Sequence, residues 1–443
     1  MQAPNLKFSQ KQVIMMIAGV VLVIVILALI FMNLRPRSSS GPAVTLNVWG
    51  TEDGSALGTV LSSYPYAEVN YTQIDPADYK SKILAALAAG KGPDVFEIGN
   101  RDLPEFKDII SPLPTSSTLF GPVQLGSLFP TVVAQDFVSD EKIYGLPLSV
   151  DTLAMVYNKD LFDSAGIATP PATWDEFDAD AAKLRAVDGS GQLVQAAAAI
   201  GGSDASIPHA ADLLALLMLQ NGAQMTDQGG ASAAFASPTG NAPGLAAFNF
   251  YLQFANPASP YYTWSDSFPS GGNAYDSFAA GKVAIVFAYH SDLAAIKAKA
   301  PFVDYGIAPM PQPSAPPGGK TSVINYPEYR GFVAAKAGQV NVAWNFILWL
   351  TDSDYSSVAS RYLAASGEPP ALRQGIAADE NSPDLSVFAA QALTARSWYE
   401  ADSAKDEAAL DSAIENTLNG SETAANALDE AQASVSALMQ GAQ

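Results

Sequence analysis

The sequence predicts an α/β fold preceded by one transmembrane helix. The chain of 443 residues is 49% hydrophobic and 15% charged, which is ample for a buried core and excludes a disordered chain. Strand and helix patterns alternate between residues 44 and 99, a rhythm typical of α/β sheets with parallel pairing. An apolar run of 20 residues, 13–32, has the length that spans a hydrocarbon core of about 30 Å.

The first predicted elements form a strand–helix–strand unit. Residues 44–50 alternate apolar and polar side chains and predict a half-buried strand, and 69–71 mark a second strand. Asp75 is predicted to cap a helix, with Pro76 at its first position. Residues 94–98 predict a third, buried strand.

The same patterns continue towards the C-terminus. Further strands are predicted at 153–157, 193–200 and 283–287, and further helices at 173–184, 208–220 and 342–350. The last region is predicted to be helical in two pieces, because Gly420 interrupts the apolar spacing and Ser421 caps the second piece.

Charge and rare residue types exclude several classes of function. The chain has 44 acidic and 23 basic side chains, a net charge of −21 that repels phosphate backbones, so no nucleic-acid partner is expected. The absence of cysteine excludes disulfides, thiolate metal sites and cysteine nucleophiles. His209 and His290, the two histidines, cannot form an H-E-x-x-H zinc site.

Common catalytic motifs are absent from the sequence. Neither G-x-S-x-G nor G-x-G-x-x-G occurs. Residues 319–321 imitate the end of a P-loop, but Ser314 stands where the first glycine belongs. A surface loop is the better interpretation of that segment.

Residues 13–32 are predicted to be an uncleaved membrane anchor. The run is longer than the apolar core of a signal peptide and is followed by a poor cleavage site. Two basic residues stand on each side, so charge specifies the orientation only weakly. Residues 33–42 are predicted to be a short linker.

Residues 144–184 carry the signature of a family. The run Tyr157–Phe162 and the later stretch Thr173–Phe177 closely resemble the central signature of family 1 extracellular solute-binding proteins, the maltose-binding-like receptors of ABC importers. Five further segments resemble this family in the same order, namely 92–96, 278–284, 305–311, 343–347 and 419–431.

The resemblance implies a two-lobe periplasmic-binding-protein-like fold with a hinge and an interlobe cleft. Lobe 1 would comprise 43–150 and 305–355, and lobe 2 would comprise 151–304 and 356–443. The chain would hold a small carbohydrate in the cleft, without cofactor, metal or catalysis, and deliver it to an ABC transporter permease. We expect a monomer on the extracytoplasmic side of the cell membrane, where the N-terminal helix replaces the lipid-bearing cysteine common in bacterial members.

Candidate ligand contacts follow the predicted strands, because ligands of open α/β sheets bind beyond the carboxyl ends of strands. Trp49, Glu52 and Asp53 follow the first strand; the alternative is a core tryptophan with solvated acids. Asn100 and Arg101 follow the third strand, where the resemblance implies polar ligand contacts. Arg101 alternatively begins a helix.

Further candidates lie nearer the C-terminus. The resemblance implies an acidic ligand contact at Asp151, whose alternative role is a hydrogen bond in the hinge. It also implies an aromatic contact at Tyr289 and a stacking tryptophan at Trp398. His290 is a candidate too, although a lone histidine is more often a structural hydrogen-bonding residue.

Two aromatic loops complete the candidates. They contribute Tyr262 and Trp264 in one loop, and Tyr329 and Arg330 in the other. Such loops are either cleft walls or lids over small hydrophobic clusters, and the sequence does not decide between these alternatives.

The sequence is also compatible with two alternative functions. One is a surface glycoside hydrolase or lyase, against which the missing catalytic motifs count. The other is a binding protein for a polyamine, a peptide or a metal–oxyanion, because Glu52, Asp53 and Asp151 suit a cation or an amine as well as sugar hydroxyls.

Overall fold

Two mixed β-sheets organise the part of the chain that the structure describes. This computed structural model describes residues 44–114, 120–237, 241–266, 268, 272–315, 319, 321–352 and 358–441. The predicted anchor at 13–32 and linker at 33–42 lie outside these residues. Within the described ranges, no helix is both long and apolar enough to cross a membrane.

The strands are short, and most belong to one of the two sheets. In chain order they are β1 Thr45–Gly50, β2 Glu68–Gln73, β3 Val95–Gly99, β4 Ile110–Ser111, β5 Val138–Ser139, β6 Lys142–Ile143, β7 Gly145–Leu146, β8 Asp151–Thr152, β9 Ala154–Asn158, β10 Ala186–Val187, β11 Leu193–Ala198, β12 Val283–Ala288, β13 Tyr305–Ala308, β14 Pro327–Glu328 and β15 Arg330–Ala335.

Both sheets mix parallel and antiparallel pairs. The first has the order β2-β1-β3-β15-β4, and β7 also pairs with β15. β1 is parallel to β2 and β3, as the strand–helix–strand pattern predicts, whereas β15 is antiparallel to its neighbours. The second has the order β10-β11-β12-β9-β13, in which β11 and β12 are parallel and β9 is antiparallel to β12 and β13. β8 pairs separately with β14, and β5 with β6.

Helices connect the strands and cover the sheets. The α-helices are Gly54–Leu61, Pro76–Ala88, Leu103–Phe106, Pro122–Leu128, Thr131–Phe137, Lys159–Ser164, Trp174–Leu184, Ala210–Gln220, Pro243–Leu252, Ala274–Ala279, Leu293–Lys299, Val340–Leu350, Val358–Ser366, Arg373–Ala378, Ser386–Ala392, Ser403–Leu418 and Ala424–Gly441. Two 3₁₀ turns span Gln253–Ala255 and His290–Asp292.

Two predicted helix caps are confirmed. Asp75 accepts a hydrogen bond from the first-turn backbone at 3.0 Å, with Pro76 at the first helical position. Thr173 and Glu176 form a reciprocal capping box: the Thr173 hydroxyl oxygen accepts the backbone N–H of Glu176, and the Glu176 carboxylate accepts the backbone N–H of Thr173.

The predicted cap of the last helix is wrong. The backbone N–H of Asn426 donates to Thr423 Oγ1 at 3.3 Å, so Thr423 caps this helix. The Ser421 backbone N–H instead donates to Asn419 Oδ1 at 2.8 Å. Ser421 therefore belongs to the turn around Gly420, whose φ of +76° ends the preceding helix.

Each sheet has its own cluster of buried apolar side chains. The first cluster packs on the first sheet and includes Val95, Phe332 and Phe346. The second packs on the second sheet and includes Met155 and Ile285. Burial of two separate apolar cores organises the chain around both sheets.

Among the described residues, the chain passes between the two clusters in three regions. Val150 packs in the first cluster and Leu153 in the second, while Tyr326 packs in the second and Tyr329 in the first. The third region is 376–398, where buried side chains alternate between the two clusters.

The division into two lobes stays a prediction. Within the segment 305–355, predicted for lobe 1, β13 pairs with β9 over four residues of the second sheet. Within the segment 356–443, predicted for lobe 2, Tyr362 and Leu372 are buried in the first cluster.

Candidate functional site

A cavity of about 850 Å³ lies where strands of both sheets end. Its wall contains residues that follow β1, β3 and β12, together with the β8–β14 ribbon. Ligands of α/β sheets bind at such strand ends. Eight predicted ligand residues line this cavity, which we call the cleft cavity: Glu52, Asp53, Asn100, Arg101, Asp151, His290, Tyr329 and Arg330.

The other five predicted ligand residues lie elsewhere. Trp264 and Tyr289 are completely buried in the second cluster, and Trp49 packs against the first. Tyr262 is half-buried, and its carbonyl accepts a hydrogen bond from an arginine. Trp398 lines a larger cavity of about 1250 Å³ that Asn100 and Arg101 also border. Contact with a solute stays a prediction for all these residues.

Trp264→Ala is expected to destabilise the fold. The Trp264 ring is buried in the second cluster, and its Nε1 donates to Ser206 Oγ at 3.0 Å. Truncation of a buried tryptophan costs about 3–5 kcal/mol. Urea unfolding measures the loss, with Tyr262→Ala as the control at a half-buried position. A smaller loss for Trp264→Ala than for this control would contradict the core role.

Three carboxyl groups meet beside the end of β1. The Tyr362 hydroxyl donates to Glu52 and, at 3.2 Å, to Glu368 Oε1. Glu97 accepts hydrogen bonds from the Thr51 backbone and hydroxyl, both at 2.9 Å. Burial raises the pKa of Glu52 well above its ordinary value and raises the pKa of Glu97 to about 7. Protonated members of this group can donate hydrogen bonds as well as accept them.

Asp53 has a structural role beside this group. Its Oδ1 accepts a hydrogen bond from the Ser55 backbone at 2.7 Å and caps the helix Gly54–Leu61. The hydrogen bonds from the Ser55 hydroxyl and backbone lower the pKa of Asp53. Asp53 is therefore an ionised cap at the edge of the cavity.

Arg101 joins elements of the two sheets. It follows β3, yet its Nη1 lies 3.1 Å from Asp212 Oδ1 and 3.3 Å from Glu400 Oε1, and its Nη2 lies 2.7 Å from Glu407 Oε1. Nη1 also donates to the Tyr326 hydroxyl at 3.2 Å. Only 8% of the arginine side chain is exposed. Charge-assisted bonds of this kind are strong because little water competes for them.

Asn100 is held in a buried hydrogen-bond network. Its Nδ2 donates to Asp136 Oδ2 at 3.1 Å, and its backbone N–H donates to the Tyr329 carbonyl at 2.8 Å. Asp136 also accepts hydrogen bonds from the Tyr329 and Ser397 hydroxyls. Burial raises the pKa of Asp136 to about 6, although these hydrogen bonds oppose the shift.

Asp151 fixes the start of a 3₁₀ turn. Its two carboxylate oxygens accept the backbone N–H groups of His290 and Ser291, each at 3.0 Å. Burial raises its pKa to about 7 in spite of these bonds. This geometry matches the hydrogen-bonding alternative for Asp151, and the residue also lines the cleft cavity.

His209 lies next to the cavity wall and precedes the helix Ala210–Gln220 with a left-handed φ of 63°. Its Nε2 lies 3.0 Å from Asp292 Oδ2, and its Nδ1 lies 3.8 Å from Asp212 Oδ2 and 4.0 Å from Glu328 Oε2. Burial lowers the pKa of His209, but the bond to Asp292 and the neighbouring carboxylates outweigh burial and bring it to about 9.

Sequence reasoning missed several polar residues of this region. The predicted ligand residues do not include Glu97, Asp136, His209, Asp212 and Glu368. Glu97 gave a usable signal, because a charged residue inside the apolar strand Val95–Gly99 is seldom buried without a partner. Asp212 gave a similar signal within the apolar helix Ala210–Gln220.

Comparison with known families decides the family of this chain. The family model described as bacterial extracellular solute-binding protein matches residues 58–356, more than half of the chain. The chain belongs to this family. The resemblance read from the Tyr157–Phe162 and Thr173–Phe177 segments is thereby confirmed.

Two relatives are similar to parts of this chain. A binding protein of Brucella abortus is 41% identical over 110 residues, which cover 24% of this chain and 26% of that protein. The diacetylchitobiose binding protein DasA of Streptomyces coelicolor is 32% identical over 140 residues, 30% of this chain and 32% of DasA. The chain thus spans about a quarter to a third of the length of these relatives.

The fold matches that of sugar-binding proteins. The structure of the sugar-binding protein MalE from Xanthomonas citri superposes with a TM-score of 0.71, at 21% identity, over 90% of this chain and 98% of that protein. At this identity the match establishes the fold alone. This solute-binding protein therefore has a mixed α/β fold of the periplasmic-binding-protein type.

Proposed function

We propose that this solute-binding protein captures a carbohydrate in the cleft cavity and delivers it to the permease of an ABC transporter. The N-terminal run at 13–32 would tether it to the cell membrane, with the cleft on the extracytoplasmic side. Capture and delivery require no catalytic step in this chain.

The position of the cleft cavity carries this proposal. Residues from both sheets line the cavity, and in three regions of the described chain the backbone passes between the two hydrophobic clusters. Two lobes joined by such passages can close around a solute by hinge motion. Closure is favoured only if the solute contacts both sides, and the cavity offers polar side chains on both.

The chemistry of the wall suits hydroxyl groups. Glu52 and Glu368 line the cavity with raised pKa values, so they supply both hydrogen-bond donors and acceptors. Arg330 lies over the Tyr79 ring at 5.1 Å and lines the cavity. Relatives with sugar ligands, such as DasA, favour the same class of solute.

An amine-bearing solute is the second candidate. Acidic residues outnumber basic residues in the cavity wall: Glu52, Asp53, Asp102, Asp151, Glu328, Glu368, Asp384 and Glu407 against Lys80, Arg101, Lys297 and Arg330. Arg101 is already paired with carboxylates, as is Lys80, whose Nζ lies 2.6 Å from Glu105 Oε2. The surplus of acidic groups would favour a cationic amine.

Thermal shift of the full chain against sugars, amino sugars and polyamines tests the proposal. A solute at 100 times its dissociation constant stabilises the folded state by about 2.7 kcal/mol, a rise of a degree or more in Tm for a chain of this size. We expect sugars to raise Tm. A rise with amines alone would replace the carbohydrate by an amine, and turnover of a sugar substrate would contradict a binding role without catalysis.

Arg330→Gln is expected to weaken solute binding at least several-fold without a large effect on stability. The substitution removes a planar donor group from the cavity wall. Arg361→Gln is the matched control, because Arg361 is exposed and bonds to Ser63 Oγ away from this wall. Calorimetric titration with the solute found in the screen measures both. Equal affinities for the two variants would contradict a solute contact at Arg330.

A further inference from the structure

Three side chains beside the cleft cavity converge without touching. His209 Nδ1 faces carboxylate oxygens of Asp212 and Glu328, and the three ligand atoms lie within 4.8 Å of one another. We propose that His209, Asp212 and Glu328 form a binding site for a divalent cation of the zinc type. This departs from the expectation that the chain binds no metal.

The spacing of the three atoms fits a shared cation better than hydrogen bonds. The distances from Nδ1 to Asp212 Oδ2 and Glu328 Oε2 are 3.8 and 4.0 Å, too long for hydrogen bonds. Two ligands of a tetrahedral zinc ion are roughly 3.4 Å apart, given metal–ligand bonds of about 2.1 Å. The three ligand atoms lie within 4.8 Å of one another, so a movement on the order of 1 Å in the Glu328 side chain, which is 49% exposed, would complete the approach.

The other imidazole nitrogen has the partner that metal-binding histidines need. His209 Nε2 lies 3.0 Å from Asp292 Oδ2. Asp292 Oδ2 also accepts hydrogen bonds from the Tyr275 hydroxyl and the Tyr289 backbone, each at 3.0 Å. A carboxylate bound to the outer nitrogen orients the ring and directs Nδ1 to the metal. The hydrogen bonds from the Tyr275 hydroxyl and the Tyr289 backbone hold Asp292 in place, so Asp292 can orient the His209 ring.

Asp212 is held in position to act as a metal ligand. Its side chain is 5% exposed, and the Tyr289 hydroxyl donates to its Oδ2 at 2.8 Å. Its Oδ1 contacts Arg101, so Oδ2 remains directed towards His209. A carboxylate oxygen has enough lone pairs to accept one hydrogen bond and bind a cation.

The local charge favours a cation. Asp212, Asp292, Glu328, Glu400 and Glu407 bring five carboxyl groups to this region, against the two basic groups Arg101 and His209. A divalent ion bound between Asp212 and Glu328 would favour the ionised form of both, and this attraction is strong where water is scarce.

The ligand set selects the class of metal and leaves a position for a fourth ligand. One imidazole and two carboxylates suit zinc, cobalt or nickel better than calcium or magnesium, which prefer oxygen ligands alone. Three protein ligands leave the fourth position of a tetrahedral ion to water or a hydroxyl. Because Glu328 also lines the cleft cavity, that position adjoins the space proposed for the solute.

The two histidines of the chain make a sharp test. The full-length protein, labelled at its histidine rings and held at about pH 8 in a buffer that takes up the proton displaced from His209, is titrated with Zn²⁺ and followed by NMR. We expect one equivalent of Zn²⁺ to move the ring signals of His209 and to leave those of His290 in place. Co²⁺ is expected to give the visible absorption of a tetrahedral site.

Variants separate the proposed ligands from other residues. Glu328→Gln is expected to weaken Zn²⁺ binding ten-fold or more, and His209→Gln to abolish it, whereas His290→Gln retains it. Glu328 is half exposed, so its substitution keeps the test valid if His209→Gln fails to fold. Unmoved His209 signals, or equal losses for Glu328→Gln and His290→Gln, would overturn the proposal. Neither readout depends on the identity of the solute.

Discussion

Replacement of Arg101 by methionine is expected to destabilise the protein by about 3–5 kcal/mol, the cost of removing one partner from a buried ion-pair network. The substitution leaves Asp212 and Glu400, whose side chains are 5% and 0% exposed, without their cation. Burial of uncompensated charge is the source of the loss, since methionine fills a similar volume. Denaturant unfolding at neutral pH measures it.

Arg330→Met is the matched control for this prediction. Arg330 lines the same cavity, and its charge lowers the pKa of the buried Glu97, but among the described residues it forms no ion pair within 4.0 Å. We expect a smaller loss of stability than for Arg101→Met, because no direct ion pair is broken. A loss for Arg101→Met no greater than that of Arg330→Met would show that the network contributes little to stability.

Arg101→Met is also expected to favour a more open protein. Its partners Asp212, Glu400 and Glu407 belong to elements of the second sheet or its cluster, whereas Arg101 follows β3 of the first. Removal of these contacts weakens the attachment between the two sides of the cleft. A larger radius of gyration in small-angle X-ray scattering would record the opening.

Asp136→Asn is expected to change how the unfolding free energy of the protein depends on pH between about pH 4 and 7. The folded state raises the pKa of Asp136 from 3.8 to about 6, so the folded state binds its proton more tightly than the unfolded state. Its contribution is therefore fully present below about pH 4 and is lost as the pH rises through 6. A shift of this size corresponds to roughly 3 kcal/mol.

The measurement for Asp136 is the difference in unfolding free energy between wild type and Asp136→Asn from about pH 4 to 7. We expect that difference to shrink as the pH rises, because asparagine does not titrate. Asp140→Asn is the control: Asp140 is exposed, and its hydrogen bond to Lys107 lowers its pKa, which gives the opposite sign. A constant difference for Asp136→Asn would contradict the raised pKa.

Local sequence patterns predicted most elements correctly. The strands at β1, β2, β3 and β12 and the helices beginning at Pro76 and Trp174 lie where alternation and capping residues placed them. These features depend on neighbours within one or two turns, so the sequence contains the information directly. Ser421 shows the limit of such reasoning, because two residues with capping side chains compete within one turn.

The roles of individual site residues were harder to predict. Glu52, Asn100 and Arg101 follow strand ends and line the cleft cavity, because a strand carries the next residues to the edge of its sheet, and their contact with a solute stays a prediction. The side-chain directions of the aromatic candidates were harder to predict. Trp264 lies in an aromatic loop and Tyr289 follows a strand, but both side chains are buried in the second cluster. Side-chain direction depends on which apolar surface lies behind the loop.

The sequence by itself determined the α/β class, the family and the acidic character of this protein, since each is written in local periodicity, motifs and composition. Only the tertiary structure decided that β13 joins the second sheet and that Arg101 meets Asp212, 111 residues away along the chain. It also decided that His209 faces Glu328. Such contacts depend on sheet pairing and shared burial between distant segments, which short sequence patterns do not specify.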